Sequence, residues 1–219
     1  MPDKRYKVLV FDWDGTLVDS TWAISQAILQ AAADVGTPVP DRSQASHVIG
    51  LGLAQALARV VPQLPPERFG DFAASYRAHY SRSEGQIRLF AGAVELLDTL
   101  RHKGVRLAIA TGKTYAGLQR SLKGAGLEKH FSSVRCADQT HPKPHPAMLQ
   151  ELAQEFHADL ATMLMIGDTS HDLLMAASAG VAAVAVAYGA HPRSELEGLH
   201  PLAIFDSLGA LRRWLLPRC

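Results

Sequence analysis

Apolar positions along the chain follow two different rhythms. Short, nearly unbroken apolar runs occur at Val8–Phe11, Val105–Ala110, Met163–Ile166 and Val181–Val186, with weaker ones at Val134-Arg135-Cys136 and Leu202-Ala203-Ile204. Runs of this length without alternation predict strands buried on both faces, the kind that make parallel sheets. Between them apolar residues return every three or four positions: Val94, Leu97 and Leu100 before Gly104, a stretch ending in Gly124-Ala125-Gly126, and Leu173, Leu174 and Ala177 before Gly180. Those spacings predict amphipathic helices stopped by glycine. Strands alternating with helices predict an α/β fold, a parallel sheet with helices on both faces, closed by a short C-terminal helix.

From about Val18 to Glu84 strand-like runs are missing. Trp22, Ile24, Ala27, Ile28 and Ala31 make one helical face ending near Gly36, followed by stripes at Leu53, Leu57, Val60 and Val61 and at Phe69, Phe72, Ala73, Tyr76 and Tyr80. The turn signals Pro38-Val39-Pro40 and the prolines between Pro62 and Pro66 separate them. Residues 18–85 are therefore expected to form a small helical domain inserted into a core made of 1–17 and 86–219. Gly50-Leu51-Gly52 sits at a helix boundary, where it is either a loop that closes over a ligand or a plain interhelical turn.

Composition narrows the partners. A chain of 219 residues with 47% hydrophobic content can bury such a core and its insertion. A net charge of +1 and a pI near 7.9 give no basic field for nucleic acid, so a small molecule is the expected partner and no protein partner is implied. Two unpatterned cysteines, Cys136 and Cys219, favour a reducing cytoplasm. The polar opening Met1–Lys7 has no secretory core, and the longest apolar tract, Ala176–Ala190, is interrupted by Gly180 and Gly189 and too short to cross a membrane.

The candidate chemistry stands at the strand ends. The first strand runs directly into Asp12 and Asp14, two carboxylates whose repulsion calls for a proton or a cation, and then into Gly15 and Thr16, a turn with free amides and a hydroxyl. The second ends in Thr111-Gly112-Lys113-Thr114. A phosphate-binding loop would require glycine five positions before Gly112, where Leu107 stands, so Thr111 and the Gly112 amide are the better phosphoryl ligands, with the following helix turning its positive end toward them. Lys143, in His141-Pro142-Lys143-Pro144-His145-Pro146, is presented from a stiff loop because the prolines forbid helix until past Pro146. For the same reason His141 and His145 are not a helical metal pair. The strand Met163–Ile166 delivers Asp168, and Asp172 follows one turn along a helix capped by Thr169 or Ser170. The methionines and alanines around it are expected to be packing.

Asp12-Trp13-Asp14-Gly15-Thr16, Thr111 after a strand, Lys143 before Pro144, and Gly167-Asp168 with Asp172 resemble the four ordered motifs of the haloacid dehalogenase-like hydrolases, over nearly the whole chain. The helical insertion is similar to the cap of the subgroup containing phosphoglycolate phosphatases, with Trp13 standing where an aliphatic residue is usual. The resemblance implies a Rossmann-like core and a phosphatase acting on a small phosphorylated metabolite. Asp12 would attack phosphorus to give an aspartyl-phosphate. Asp14, starting protonated, would protonate the leaving oxygen and later take a proton from water. Mg²⁺ would be held by the Asp12 carboxylate, the Asp14 carbonyl and Asp168, with Asp172 in support, while Lys143 offsets negative charge. A dehalogenase would lack the acid at Asp14. A phosphomutase, a pyrophosphatase or a nucleotidase would keep the same motifs. A phospho-accepting receiver-like domain would need no helical cap and would place its lysine later in the chain.

Overall fold

The computed structural model describes residues 6–219, so the polar opening Met1–Arg5 lies outside the described residues. Six strands form one parallel sheet: β1 (Val8–Phe11), β4 (Arg106–Thr111), β5 (Ser133–Cys136), β6 (Met163–Gly167), β7 (Ala182–Val186) and β8 (Ile204–Phe205). Their spatial order is β5-β4-β1-β6-β7-β8. β1 is central and wholly buried. Leu9 and Phe11 face one hydrophobic cluster, with Leu96, Leu97 and Leu100 of α5 (Ala93–His102), Leu118 and Leu122 of α6 (Tyr115–Ala125) and Leu211 of α10 (Leu208–Leu215). Val8 and Val10 face the other, with Met148, Leu149 and Leu152 of α7 (Ala147–Glu155) and Met175 of α8 (Ser170–Ala179). Burial on both faces is why these strands lack alternation. A further helix, α9 (Arg193–Glu197), covers the β7–β8 edge through Leu196.

The sheet register builds the site. Phe11 pairs with Ile109 on one side and Ile166 on the other, so Asp12 leaves the sheet beside the ends of β4 and β6. Strand order reverses around β1, and such reversals leave a crevice beyond the carboxyl ends where ligands bind in open α/β sheets. Trp13 turns away from that crevice into the core, fully buried, with Nε1 donating to Ser121 Oγ at 2.8 Å.

Helices α1 (Thr21–Asp34), α2 (Arg42–His47), α3 (Leu53–Val60) and α4 (Phe69–Ser83) stand between two short strands, β2 (Val18–Asp19) and β3 (Arg88–Leu89). Ile24, Ile28, Val48, Leu57 and Phe72 pack into a hydrophobic cluster of their own. Val18 and Asp19, expected to open the helical stretch, instead pair antiparallel with Leu89 and Arg88 to make a two-stranded stem. Gly50-Leu51-Gly52 connects α2 to α3 and lies against the core: a Cβ on Gly112 would stand 2.5 Å from the Gly50 carbonyl oxygen. The Ala176–Ala190 tract divides into the end of α8 and β7, and no helix among the described residues is long and apolar enough to cross a membrane.

Candidate active site

Asp12, Asp14, Thr111, Lys143, Asp168 and Asp172 are all buried at the carboxyl rim of the sheet, although they come from four separated stretches of chain. Lys143 is held in the loop between β5 and α7 and is fully buried. Its Nζ lies 2.9 Å from Asp12 Oδ1 and 2.6 Å from Asp172 Oδ1. Asp172 closes the first turn of α8 as half of a capping box, its Oδ2 accepting from the Thr169 amide at 3.1 Å and the Thr169 hydroxyl at 2.7 Å. With both oxygens engaged, Asp172 positions Lys143 and borders the acid cluster. Asp168 accepts from Thr16 Oγ1 and from the Ala190 amide, each at 2.7 Å. Gly15 lets the chain pass this carboxylate: its φ is 79°, and a Cβ there would collide with the Asp168 side chain.

Asp12 is the poorly satisfied member. Its Oδ1 meets the Lys143 ammonium, but its Oδ2 has no hydrogen-bond partner among the described residues. Burial pushes its carboxyl up to about 7, against the lowering pull of Lys143 and with a further push from Asp172. Asp168 is raised well above the carboxylate range by burial and then by Asp12 and Asp172. Burial alone would lower Lys143, yet Asp12 and Asp172 override it and hold its ammonium above the ordinary lysine range. Three carboxylates with ligand atoms within 4.8 Å of one another, one buried ammonium and one orphaned oxygen leave excess negative charge that a cation would relieve. An all-oxygen donor set is the kind Mg²⁺ takes, so the residues fit that ion.

Asp14 meets a hydroxyl and a second ammonium. Its Oδ1 accepts from Ser20 Oγ at 2.6 Å and lies 3.0 Å from Lys113 Nζ. Lys113 also donates to the Tyr80 hydroxyl at 3.1 Å, with its ammonium 4.6 Å from the Tyr80 ring centre, and so ties the core to α4 of the insertion. Asp14 and Tyr80 hold this ammonium above the ordinary range despite burial. Sequence reasoning passed over Lys113 together with the rejected phosphate loop. Its position two residues beyond Thr111 was the available signal. Ser20 could have been picked out as a second hydroxyl, beside Thr16, close behind the two acids, whereas nothing local marks Tyr80. Thr111 caps the end of β4 with its Oγ1 accepting from the Lys113 amide at 3.2 Å.

A second cluster, His47, His171 and His191, joins the insertion to the core. Nε2 of His171 and Nε2 of His191 donate to the His47 carbonyl at 3.0 and 3.1 Å, so these nitrogens latch the α2 backbone and offer no lone pair to a metal. Burial pushes His171 down to about 4 and lowers His191 as well, which keeps both rings neutral donors at pH 7.

Acids, a hydroxyl and a buried ammonium thus meet around one crevice at the carboxyl rim of the sheet. The chain matches the family described as haloacid dehalogenase-like hydrolase over residues 9–186, and it belongs to that family. "Probable phosphatase IndB" of Dickeya dadantii is 38% identical over 91% of this chain and 89% of its own length. "Phosphoglycolate phosphatase" of Rhodospirillum rubrum is 30% identical over 95% of this chain and 90% of its own. Among solved structures, a predicted phosphoglycolate phosphatase from Haemophilus somnus 129pt superimposes with a TM-score of 0.84 at 28% identity, covering 95% of this chain and 97% of the other. Within the family the chain is a phosphoric monoester hydrolase of the phosphoglycolate phosphatase-like subgroup.

Proposed function

We propose that this chain is a Mg²⁺-dependent phosphatase that hydrolyses a small phosphorylated metabolite, a phosphoglycolate-like monoester, through an aspartyl-phosphate on Asp12. The observation that carries the reading is the buried Asp12 carboxylate with one oxygen unpartnered, set between Lys143 and the other acids. Residues 1–17 and 86–219 act as the catalytic core and 18–85 as a cap over it. A cytoplasmic setting fits the free, buried Cys136.

In the first step an Asp12 oxygen forms a bond to phosphorus while the ester P–O bond breaks. Asp14 gives its proton to the departing oxygen. Thr111 Oγ1 and the Gly112 amide donate to phosphoryl oxygens, and Lys143 supplies positive charge against nucleophile and phosphoryl group together. In the second step Asp14 takes a proton from water as that water attacks phosphorus, and Asp12 leaves as a carboxylate. Lys113 and Ser20 fix the orientation of the Asp14 carboxyl for both transfers. The Asp12 and Asp168 carboxylates and the Asp14 carbonyl would hold Mg²⁺, with Asp172 beside them. When bound, the ion neutralises phosphoryl charge and so lets an anion approach an anion.

The test is phosphate release from a panel of phosphorylated metabolites, phosphoglycolate included, with Mg²⁺ and with excess chelator. Continuous, chelator-sensitive release is expected. Transfer of a single equivalent followed by a stall would replace the phosphatase with a phospho-accepting domain, and chelator-insensitive turnover would remove the metal.

A further inference from the structure

A cavity of about 350 Å³ opens directly from Asp12, Asp14 and Thr111 into the helical insertion. Its wall beyond the phosphoryl end is hydrocarbon: Ile24 and Ile28 of α1, Val48 after α2, Leu57 and Val60 of α3 and Phe72 of α4. All six are buried and belong to the insertion's own cluster. Tyr76 and Tyr80 stack beside them, ring centres 5.9 Å apart and planes 18° apart. Three cationic residues line the same cavity outside this apolar wall. Lys113 is matched by Asp14 at 3.0 Å, while Arg77 and Arg120 are exposed, with Arg120 3.9 Å from Glu84.

A substrate whose phosphoryl group meets Asp12 must place the rest of itself in this space. A carboxylate seated against Ile24, Ile28, Leu57, Val60 and Phe72 would be stripped of water by aliphatic and aromatic side chains that offer it no hydrogen bond, which is costly. A two-carbon acid would also leave most of the cavity unfilled, since volumes of about 300 Å³ and more suit ligands of drug-like size. Resting on the phosphatase reading above, we propose that the organic part of the substrate is an uncharged, predominantly apolar group of at least the size of an aromatic ring, seated between α1, α3 and α4. This narrows the monoester proposed above: phosphoglycolate itself is then a poorer substrate than esters whose organic part is apolar.

The deciding experiment is a series of straight-chain alkyl phosphates from methyl to hexyl, assayed with Mg²⁺ beside phenyl phosphate, naphthyl phosphate and phosphoglycolate. The alkyl esters have nearly equal leaving-group acidity, so a change in kcat/KM along the series reports burial and not chemistry. Each methylene buried is worth about fourfold, and methyl to hexyl should span on the order of 10² to 10³. Ala73 lines the same cavity, and Ala73→Leu should cut the hexyl-to-methyl ratio at least tenfold, a ratio independent of how much protein folds. Calorimetric binding of the matching non-hydrolysable alkylphosphonates separates the two claims. Affinity that grows with chain length, without turnover of any ester, would support the apolar pocket and sink the phosphatase reading. A flat alkyl series, or phosphoglycolate as the best substrate, would overturn the pocket assignment and leave the phosphatase reading intact.

Discussion

Replacing Lys143 by methionine keeps the length and apolar stem of the side chain and removes only its charge. The ammonium lies 2.9 Å from Asp12 and 2.6 Å from Asp172 with no exposure to water. At an effective dielectric near 20 each contact is a Coulomb attraction of about 6 kcal/mol, part of which offsets the cost of burying the ammonium. Truncating one partner of a buried charge network costs about 3–5 kcal/mol, because the partners remain buried and unpaired. Here three carboxylates remain. Asp12 has an escape, since its carboxyl already sits at about 7 and takes up a proton more readily once the cation is gone. A carboxyl raised above its unfolded value binds more protons folded than unfolded, so its contribution is present in acid and lost as pH rises through the folded value. The metal-free variant should therefore be about 3–5 kcal/mol less stable than the parent at pH 8 and distinctly closer to it at pH 6. Urea denaturation in chelator at the two pH values measures this, and kcat should fall at least about 10³-fold. A variant as stable as the parent at pH 8, or one whose deficit does not shrink in acid, would refute the electrostatic account of the site.

Mg²⁺ binding should follow the same titration, because its ligands must be ionised: affinity measured by calorimetry should rise at least about tenfold between pH 6 and pH 8, and a pH-independent affinity would remove Asp12 from the ligand set. Lys113→Met leaves Asp14 its Ser20 hydrogen bond but removes its cation, so kcat should drop about 10- to 100-fold with KM changed far less; a pure KM effect would make Lys113 a substrate ligand instead. Cys136 is fully buried, and burial pushes its thiol up to about 12 with a further push from Asp138, so alkylation at pH 8 should require unfolding. Rapid labelling of Cys136 in the native protein would show that the β5 edge opens.

Much of the core was legible because its strands are buried on both faces, which leaves apolar runs that no helix of that length would need. Residues at the ends of those runs carried the chemistry into view: Asp12, Thr111 and Asp168 each follow or close a strand, and parallel register brings such ends to one rim. Strand limits slipped where a polar residue pairs in the sheet, as when Thr111 extends β4 against Cys136, or where the ladder is displaced from the apolar run, as when β8 begins at Ile204 and continues to Phe205. The β2–β3 stem was invisible because two-residue strands have no period to read. Lys113 escaped notice for another reason. Its role is fixed by Asp14, nearly a hundred positions away, and by Tyr80 on a helix of the insertion, contacts that no local pattern encodes. The apolar stripes of α1, α3 and α4 mark the helices of the insertion, but the face they leave open toward Asp12 depends on how those helices meet.

The central claim is that Asp12 forms the covalent bond to phosphorus. Acid quenching during turnover of a good substrate, followed by peptide mass mapping, tests it most directly. A phosphoryl mass increment on the peptide that carries Asp12, absent from Asp12→Asn, is the predicted result. Turnover by Asp12→Asn at a rate near the parent's, or phosphate attached at another residue, would contradict it.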